Sequence, residues 1–375
     1  MERGGYRLQR IMVVSTKQLP HRNRPRRLPR RLDIILVLFF WLGLGSGVSL
    51  FARAGNGFEL EYRERIHLEK QSGSIDEVVA LPQGGFAVRD YTSDPPAEQK
   101  IEFFGADGSR TGTIAAFGKG PTKYLALRDI AVDSKGHLWV ADFGASRVLE
   151  YELNGDVLST LLLQNPSFRP EVLAIDEERG RLFIAGCSPL KVYLDRGCLH
   201  VHEYRLKDRR FTRSFIETSE ESITKLWASR VLSDLSLDRN GRVYFLEQAV
   251  FRLLRLDPLS GEVTELAINS TVAEVPPALA VETVTSKDRM EAARRAAYLL
   301  DRVVASGAHV AVSIRRPGDA GYLLAVFDEE GRQVATDLDI GGHLVGATRD
   351  GGWLFARNQD GRFVLDVAYP GQIGG

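Results

Sequence analysis

The stretch Arg128 to Asp142, "RDIAVDSKGHLWVAD", decides the fold. Two short runs rich in apolar residues flank the polar turn Asp133 to Gly136, and Asp129 and Asp142 mark the two ends. Ile, Val and Trp suit a pleated strand, while Asp and Gly supply the capped bend and the positive φ that a tight turn needs. The stretch therefore reads as a β-hairpin. An isolated hairpin is marginal in water, so its partners have to lie elsewhere in the chain.

Repetition supplies them. The pattern recurs as "EVVALPQGGFAVRD" (77–90), "VLAIDEERGRLFIAG" (172–186), "DLSLDRNGRVYFLE" (234–247), "DRVVASGAHVAVSI" (301–314) and "LVGATRDGGWLFAR" (344–357), which makes six copies. Five are followed by a second hairpin, such as "VLEYELNGDVLSTL" (148–161), and the last only by "FVLDVAYPG" (363–371). Each unit reads as a four-stranded antiparallel sheet. Six such sheets around an axis bury each face against a neighbour and leave only short edges. "FELEYRERIHLE" (58–69) has strand character and no partner of its own, so it is expected to complete the last sheet and close the ring. The expected fold is all-β: a six-bladed β-propeller over 55–375, closed by its N-terminal strand. One break, "SKDRMEAARRAAYLLD" (286–301), has helical spacing behind Ser286 as cap and predicts a helix inserted between blades four and five.

Residues 127–160, "LRDIAVDSKGHLWVADFGASRVLEYELNGDVLST", resemble an NHL repeat, the unit of a family of six-bladed β-propellers. The resemblance is strongest in this second copy and extends in weaker form over about 58–370. It implies a module that acts by binding.

With the strands of each blade lettered a to d, the a-to-b and c-to-d turns are tight: "DSKG", "DRNG", "ADGS", "LNGD". The b-to-c and d-to-a connections are long: "YTSDPPAEQ", "CSPLKVYLDRGC", "ETSEESITKLWASR". In an up-and-down blade the two sets emerge on opposite faces, and long loops on a rigid scaffold are where binding concentrates. The starts of strand a and the ends of strand b meet the long-loop face near the channel. These positions give Glu77, Asp90, Asp129, Asp142, Asp234, Glu247, Asp301 and Arg357 as the expected ligand-binding residues of the channel mouth. Such carboxylates either cap nearby backbone N–H groups or gather around a Ca²⁺, which takes about 6–8 oxygen ligands.

The second option is similar to the calcium-dependent lactonases of the six-bladed class, where inner-strand Glu, Asn and Asp residues hold the metal and one Asp doubles as base. That resemblance implies a hydrolase with Glu77, Asp234 and Asp301 as metal ligands and Asp129 nearby. No Asn stands at the middle ligand position. The seven histidines, spread from His21 to His343, do not gather in the sequence as a histidine-based lyase would need, and nucleophile and phosphate-loop motifs are missing. Cys187 and Cys198 bracket the loop "CSPLKVYLDRGC"; outside the cytoplasm they are expected to form a disulfide, with two unlinked thiols or a Cys₂His₂ metal site shared with His200 and His202 as the alternatives. Tyr124, Phe168 and Trp227 lie in long connections, as binding surface or as packing.

The formal net charge of zero hides an asymmetry. Residues 1–33 hold ten Lys/Arg against two acids, which leaves 39 basic and 47 acidic residues in the rest. The acidic bulk argues against a nucleic-acid surface. The basic segment runs into "IILVLFFWLGLGSGVSLF" (34–51), which is uncharged and about 27 Å long as a helix, enough to cross a bilayer core. With its arginines held inside, the remainder is expected to be exported, periplasmic or anchored to the inner membrane through this N-terminal helix. Residues 34–54 read as a signal peptide, with "ARA" (52–54) offering small residues for cleavage, or as a retained anchor, since the basic region is unusually long for a cleaved signal. The resulting expectation is an exported, monomeric propeller that binds a protein or an envelope ligand, with no cofactor unless Ca²⁺ sits at the mouth.

Overall fold

The structure is a computed structural model that describes residues 50–53, 58–70, 73–90, 99–163, 168–187, 199–217, 234–248, 251–275 and 287–371. It contains β1 (Leu50–Arg53) and β2 (Glu59–Leu68), followed by six sheets in chain order. Blade one holds β3 (Glu77–Ala80), β4 (Phe86–Asp90), β5 (Lys100–Phe104) and β6 (Arg110–Ile114). Blade two holds β7 (Leu127–Val132), β8 (Leu138–Asp142), β9 (Arg147–Tyr151) and β10 (Val157–Leu162). Blade three holds β11 (Arg169–Asp176), β12 (Arg181–Cys187), β13 (Leu199–Arg205) and β14 (Arg210–Glu217). Blade four holds β15 (Asp234–Leu237), β16 (Val243–Glu247), β17 (Arg252–Leu256) and β18 (Val263–Leu266). Blade five holds β19 (Leu299–Ser306), β20 (His309–Arg315), β21 (Tyr322–Asp328) and β22 (Gln333–Ile340). Blade six holds β23 (His343–Ala347), β24 (Trp353–Gln359) and β25 (Arg362–Pro370), with β2 as its fourth strand and β1 as a fifth.

The innermost strands touch in the order β3, β7, β11, β15, β19, β23 and back to β3, which closes a six-bladed propeller. Closure is made by strand pairing. β2 runs antiparallel to β25 from Leu60 opposite Pro370 to Leu68 opposite Phe363, as the unpaired N-terminal strand requires. The hairpin at 128–142 shows why the blades stack. Every residue of β8 is buried, because Leu138 and Val140 pack with Ala87, Ile101 and Phe103 of blade one, while Trp139 and Ala141 pack with Leu173, Leu182 and Ile184 of blade three. Successive side chains point to opposite faces of a strand, and here both faces meet a neighbouring sheet.

One expectation changes. The helix, α1, covers Lys287–Ala296 and stops short of Asp301. From Leu299 the chain is strand, because Leu300, Val303 and Val304 find ladder partners in Ile314, Val312 and Ala311 of β20, and β-branched residues favour that outcome. At the other end, Leu50–Arg53 pairs with Glu59–Tyr62 of β2 as a strand, across the last residues of the expected apolar span and most of the "ARA" cleavage motif. The rest of the apolar segment and the basic region before it lie outside the described residues. Among the described residues no helix is long and apolar enough to cross a membrane.

Candidate functional site

The inner strands carry their charged residues to one end of an axial cavity of ≈ 240 Å³ whose walls are otherwise mostly Val, Ala, Ile and Leu. Ladder register identifies which residues are equivalent. Glu77 lies opposite Arg89, Asp129 opposite Ala141, Val172 opposite Ala185, Asp234 opposite Leu246 and Arg302 opposite Ser313. In blade five this place belongs to Arg302, where the sequence alignment puts Asp301. A β-bulge between Leu300 and Arg302 takes Asp301 out of the ladder, much as a bulge between Leu127 and Asp129 takes out Arg128 in blade two.

Arg302 brings a cation among the carboxylates. Its Nη1 lies 3.2 Å from Asp234 Oδ1 and 3.9 Å from Glu77 Oε1, and its Nη2 donates to the Asp76 carbonyl. Each carboxylate also reaches the following blade: Ile130 N–H donates to Glu77 (3.3 Å), Leu173 N–H to Asp129 (2.6 Å) and Val303 N–H to Asp234 (2.7 Å). These bonds latch blade one to two, two to three and four to five. Arg89 adds a second cation, 3.1 Å from Glu77.

The electrostatics follow from burial and from these partners. Burial would raise Glu77, but its hydrogen bond with Asp129 and the charges of Arg302 and Arg89 outweigh that and hold it below the usual carboxylate range. Asp129 goes the other way: burial and the adjacent Glu77 carboxylate push it well up, so the pair favours one proton, on Asp129. Burial also raises Asp234, against the opposing pull of Arg302. Desolvation disfavours the charged Arg302, yet Asp234, Glu77 and Asp129 together raise it above an ordinary arginine.

The eight expected mouth residues divide. Glu77 and Asp234 line the cavity, and Asp129 stands behind them in contact with Glu77. Asp301 turns to His343, whose Nε2 lies 2.6 Å from Asp301 Oδ2 and whose ring stacks on Tyr322 at 5.0 Å. Burial acts to raise Asp301, but the charge and hydrogen bond of His343 bring it below its ordinary value. The remaining four pair within their own sheets or with the segments that lead into them. Asp142 accepts from the N–H groups of Leu125, Ala126 and Ala145 and pairs with Arg147 at 2.9 Å. Asp90 binds Lys70 at 2.6 Å, Glu247 pairs with Arg252 at 3.1 Å, and Arg357 pairs with Asp366. Arginine or lysine at the facing start of strand c attracts the acid at the end of strand b sideways along the sheet.

The three residues expected to hold calcium each have an ion-pair partner. Two of them, Glu77 and Asp234, share a guanidinium, and the third, Asp301, pairs with His343. Two functional candidates were missed in the sequence, Arg302 and His343. The first was hidden by the bulge; the second begins an inner strand, one residue before the repeat "LVGA", and that position was its only signal. Tyr124 and Phe168 are buried in the core, and Tyr124 donates to the Gln99 carbonyl at 2.9 Å, so both pack their connections onto the blades. Cys187 ends β12, whereas Cys198 and Trp227 lie outside the described residues, as therefore does the expected disulfide.

Comparison with known proteins agrees with the architecture. A family model described as a 6-bladed beta-propeller matches residues 96–179. No curated protein matches the chain. Among solved structures, a member of the duf4221 family from Bacteroides vulgatus is similar with a TM-score of 0.59 and 9% identity over 84% of this chain and 99% of that one. A Bacteroides fragilis protein named for its predicted export follows with a TM-score of 0.57 and 12% identity over 85% and 97%. A gluconolactonase from Xanthomonas campestris gives 0.50 and 12% over 84% and 91%. By fold, this chain is similar to these proteins; at 9–12% identity the likeness extends to the fold alone.

Proposed function

We propose that the chain is an exported propeller of NHL-like type that works as a binding module at the cell envelope, through the face that carries its long connections. The observation that supports this most is the use to which the axial charges are put. Glu77, Asp129 and Asp234 hold neighbouring blades together, and Glu77 and Asp234 balance Arg302, which leaves fewer carboxylate oxygens for the metal of a hydrolase. What varies from blade to blade is the b-to-c and d-to-a connections, and a protein or envelope ligand is read by such variable loops on a rigid frame. Export rests on the arginine-rich segment followed by eighteen uncharged residues.

A site-specific photo-crosslinker tests the reading in intact cells. Placed at exposed Lys119 in the β6–β7 connection, it is expected to capture a discrete envelope partner; placed at exposed Asn154 in the tight β9–β10 turn, it is not. Equal capture from both positions, or from neither, would defeat the proposal. A melt of the purified chain with Ca²⁺ and with EDTA separates the hydrolase alternative: a calcium-dependent rise abolished by Asp234→Ala would revive it.

A further inference from the structure

The face opposite the long connections carries a second cluster, at the border of blades two and three. The turn "DSKGH" is closed by Asp133, whose Oδ1 accepts from the N–H groups of Lys135 (3.0 Å) and His137 (2.8 Å). That leaves Asp133 Oδ2 facing His137 Nδ1 at 3.1 Å. From β9, Glu150 brings Oε1 to 3.3 Å from the same nitrogen. Its other oxygen is fixed from outside, by Ser159 Oγ at 2.5 Å and by Arg209 Nη2 of blade three at 2.6 Å. One nitrogen and two oxygens therefore converge within 4.8 Å of one another, and both carboxylates are held by further bonds.

We propose that Asp133, His137 and Glu150 form a binding site for one zinc ion, with a fourth position open to solvent. Four physical points carry this. Tetrahedral zinc with bonds of about 2.0–2.2 Å separates its ligand atoms by roughly 3.3–3.5 Å, close to the 3.1 and 3.3 Å that separate His137 Nδ1 from the two carboxylate oxygens. One imidazole with two carboxylates suits zinc better than calcium, which takes oxygen ligands. The free oxygens of two buried carboxylates point together, and Arg209 offsets only one of the two charges, so the site favours an added cation. Outer bonds of the kind made by Ser159, Arg209 and the turn N–H groups orient metal ligands. His137, 29% exposed, leaves a way in.

The competing occupant is a proton on His137, which would make the trio a simple ion-pair cluster. Tag-free full-length chain, in detergent where its apolar segment requires it, is stripped with chelator, loaded with Zn²⁺ or Ca²⁺, and analysed for bound metal and melting temperature. The expected result is one zinc per chain, no retained calcium, and a melting temperature that climbs with zinc concentration. His137→Asn is expected to abolish both readouts while melting like the wild type without metal. Ser159→Ala, which loosens only the orientation of Glu150, is expected to weaken zinc by about tenfold. Wild-type chain that retains no stoichiometric zinc overturns the proposal, as does zinc retained undiminished by His137→Asn, since the metal would then sit elsewhere. Should His137→Asn not fold, Glu150→Gln serves the same comparison.

Discussion

Two buried cations, Lys70 and Arg302, each face a pair of carboxylates, yet they do different work. Lys70 Nζ lies 2.6 Å from Asp90 and 2.5 Å from Glu102, and the three side chains are 0%, 1% and 2% exposed. The segment after it is tied to the same acid: Ser74 N–H donates to Asp90 at 2.9 Å, and a Cβ on Gly73, at φ +94°, would collide with the Asp90 carboxylate. This sealed cluster clamps the chain as it leaves the closing strand β2 and enters blade one. Arg302 sits at a wetter place, 14% exposed beside Glu77 at 13%, and lines the axial cavity. The contrast teaches that a charge count does not define a site. A sealed cation is spent on holding the ring shut, whereas one at the mouth both latches blades and decides what else the cavity admits.

Substitutions can break or sharpen this contrast. Lys70→Met leaves two buried carboxylates without their cation and is expected to destabilise by about 3–5 kcal/mol in urea unfolding. A loss of less than about 1 kcal/mol would mean that Lys100 and Arg110, 3.3 and 3.5 Å from Glu102, take over, and that the cluster is no clamp. Arg302→Met should cost less, about 2–3 kcal/mol, because Glu77 and Asp234, 13% and 6% exposed at the cavity, are less fully sealed from solvent than Asp90 and Glu102. Parity with Lys70→Met would erase the distinction drawn between them.

Asp129→Asn tests the proton shared with Glu77. Because the folded protein holds Asp129 above its ordinary value of 3.8, its contribution is greatest at low pH and is lost as pH rises from that value. Asparagine mimics the protonated acid without that loss. The variant should match the wild type within about 1 kcal/mol near pH 4 and gain on it progressively toward pH 7, read from melts across the range. A constant difference would show that Asp129 is ionised in the fold. Smallest is Ser236→Ala, which removes the acceptor for Ala305 N–H (2.9 Å) between blades four and five and should cost about 1 kcal/mol.

The site was legible in part. Glu77 and Asp234 could be placed at the mouth because repeat alignment carries strand position directly. Arg302 could not, since the bulge at Asp301 shifts the register by one and the turn of that copy is one residue short. Nor could the sideways pairing of Asp142 with Arg147 or of Glu247 with Arg252, although these were local: repeat alignment ranks residues by position along a strand and ignores which charge stands across the ladder.

By itself the sequence determined the number of blades, their strand order and the closing strand, because alternation and turn chemistry act over a few neighbouring residues and repeat six times. The tertiary structure decided which acids met a cation, which met a backbone N–H and which met His343. Those partners lie 53 residues apart for Glu77 and Ile130, and 68 for Asp234 and Arg302. Only ring closure brings such groups into one place, and only burial there makes their charges interact strongly enough to assign their roles.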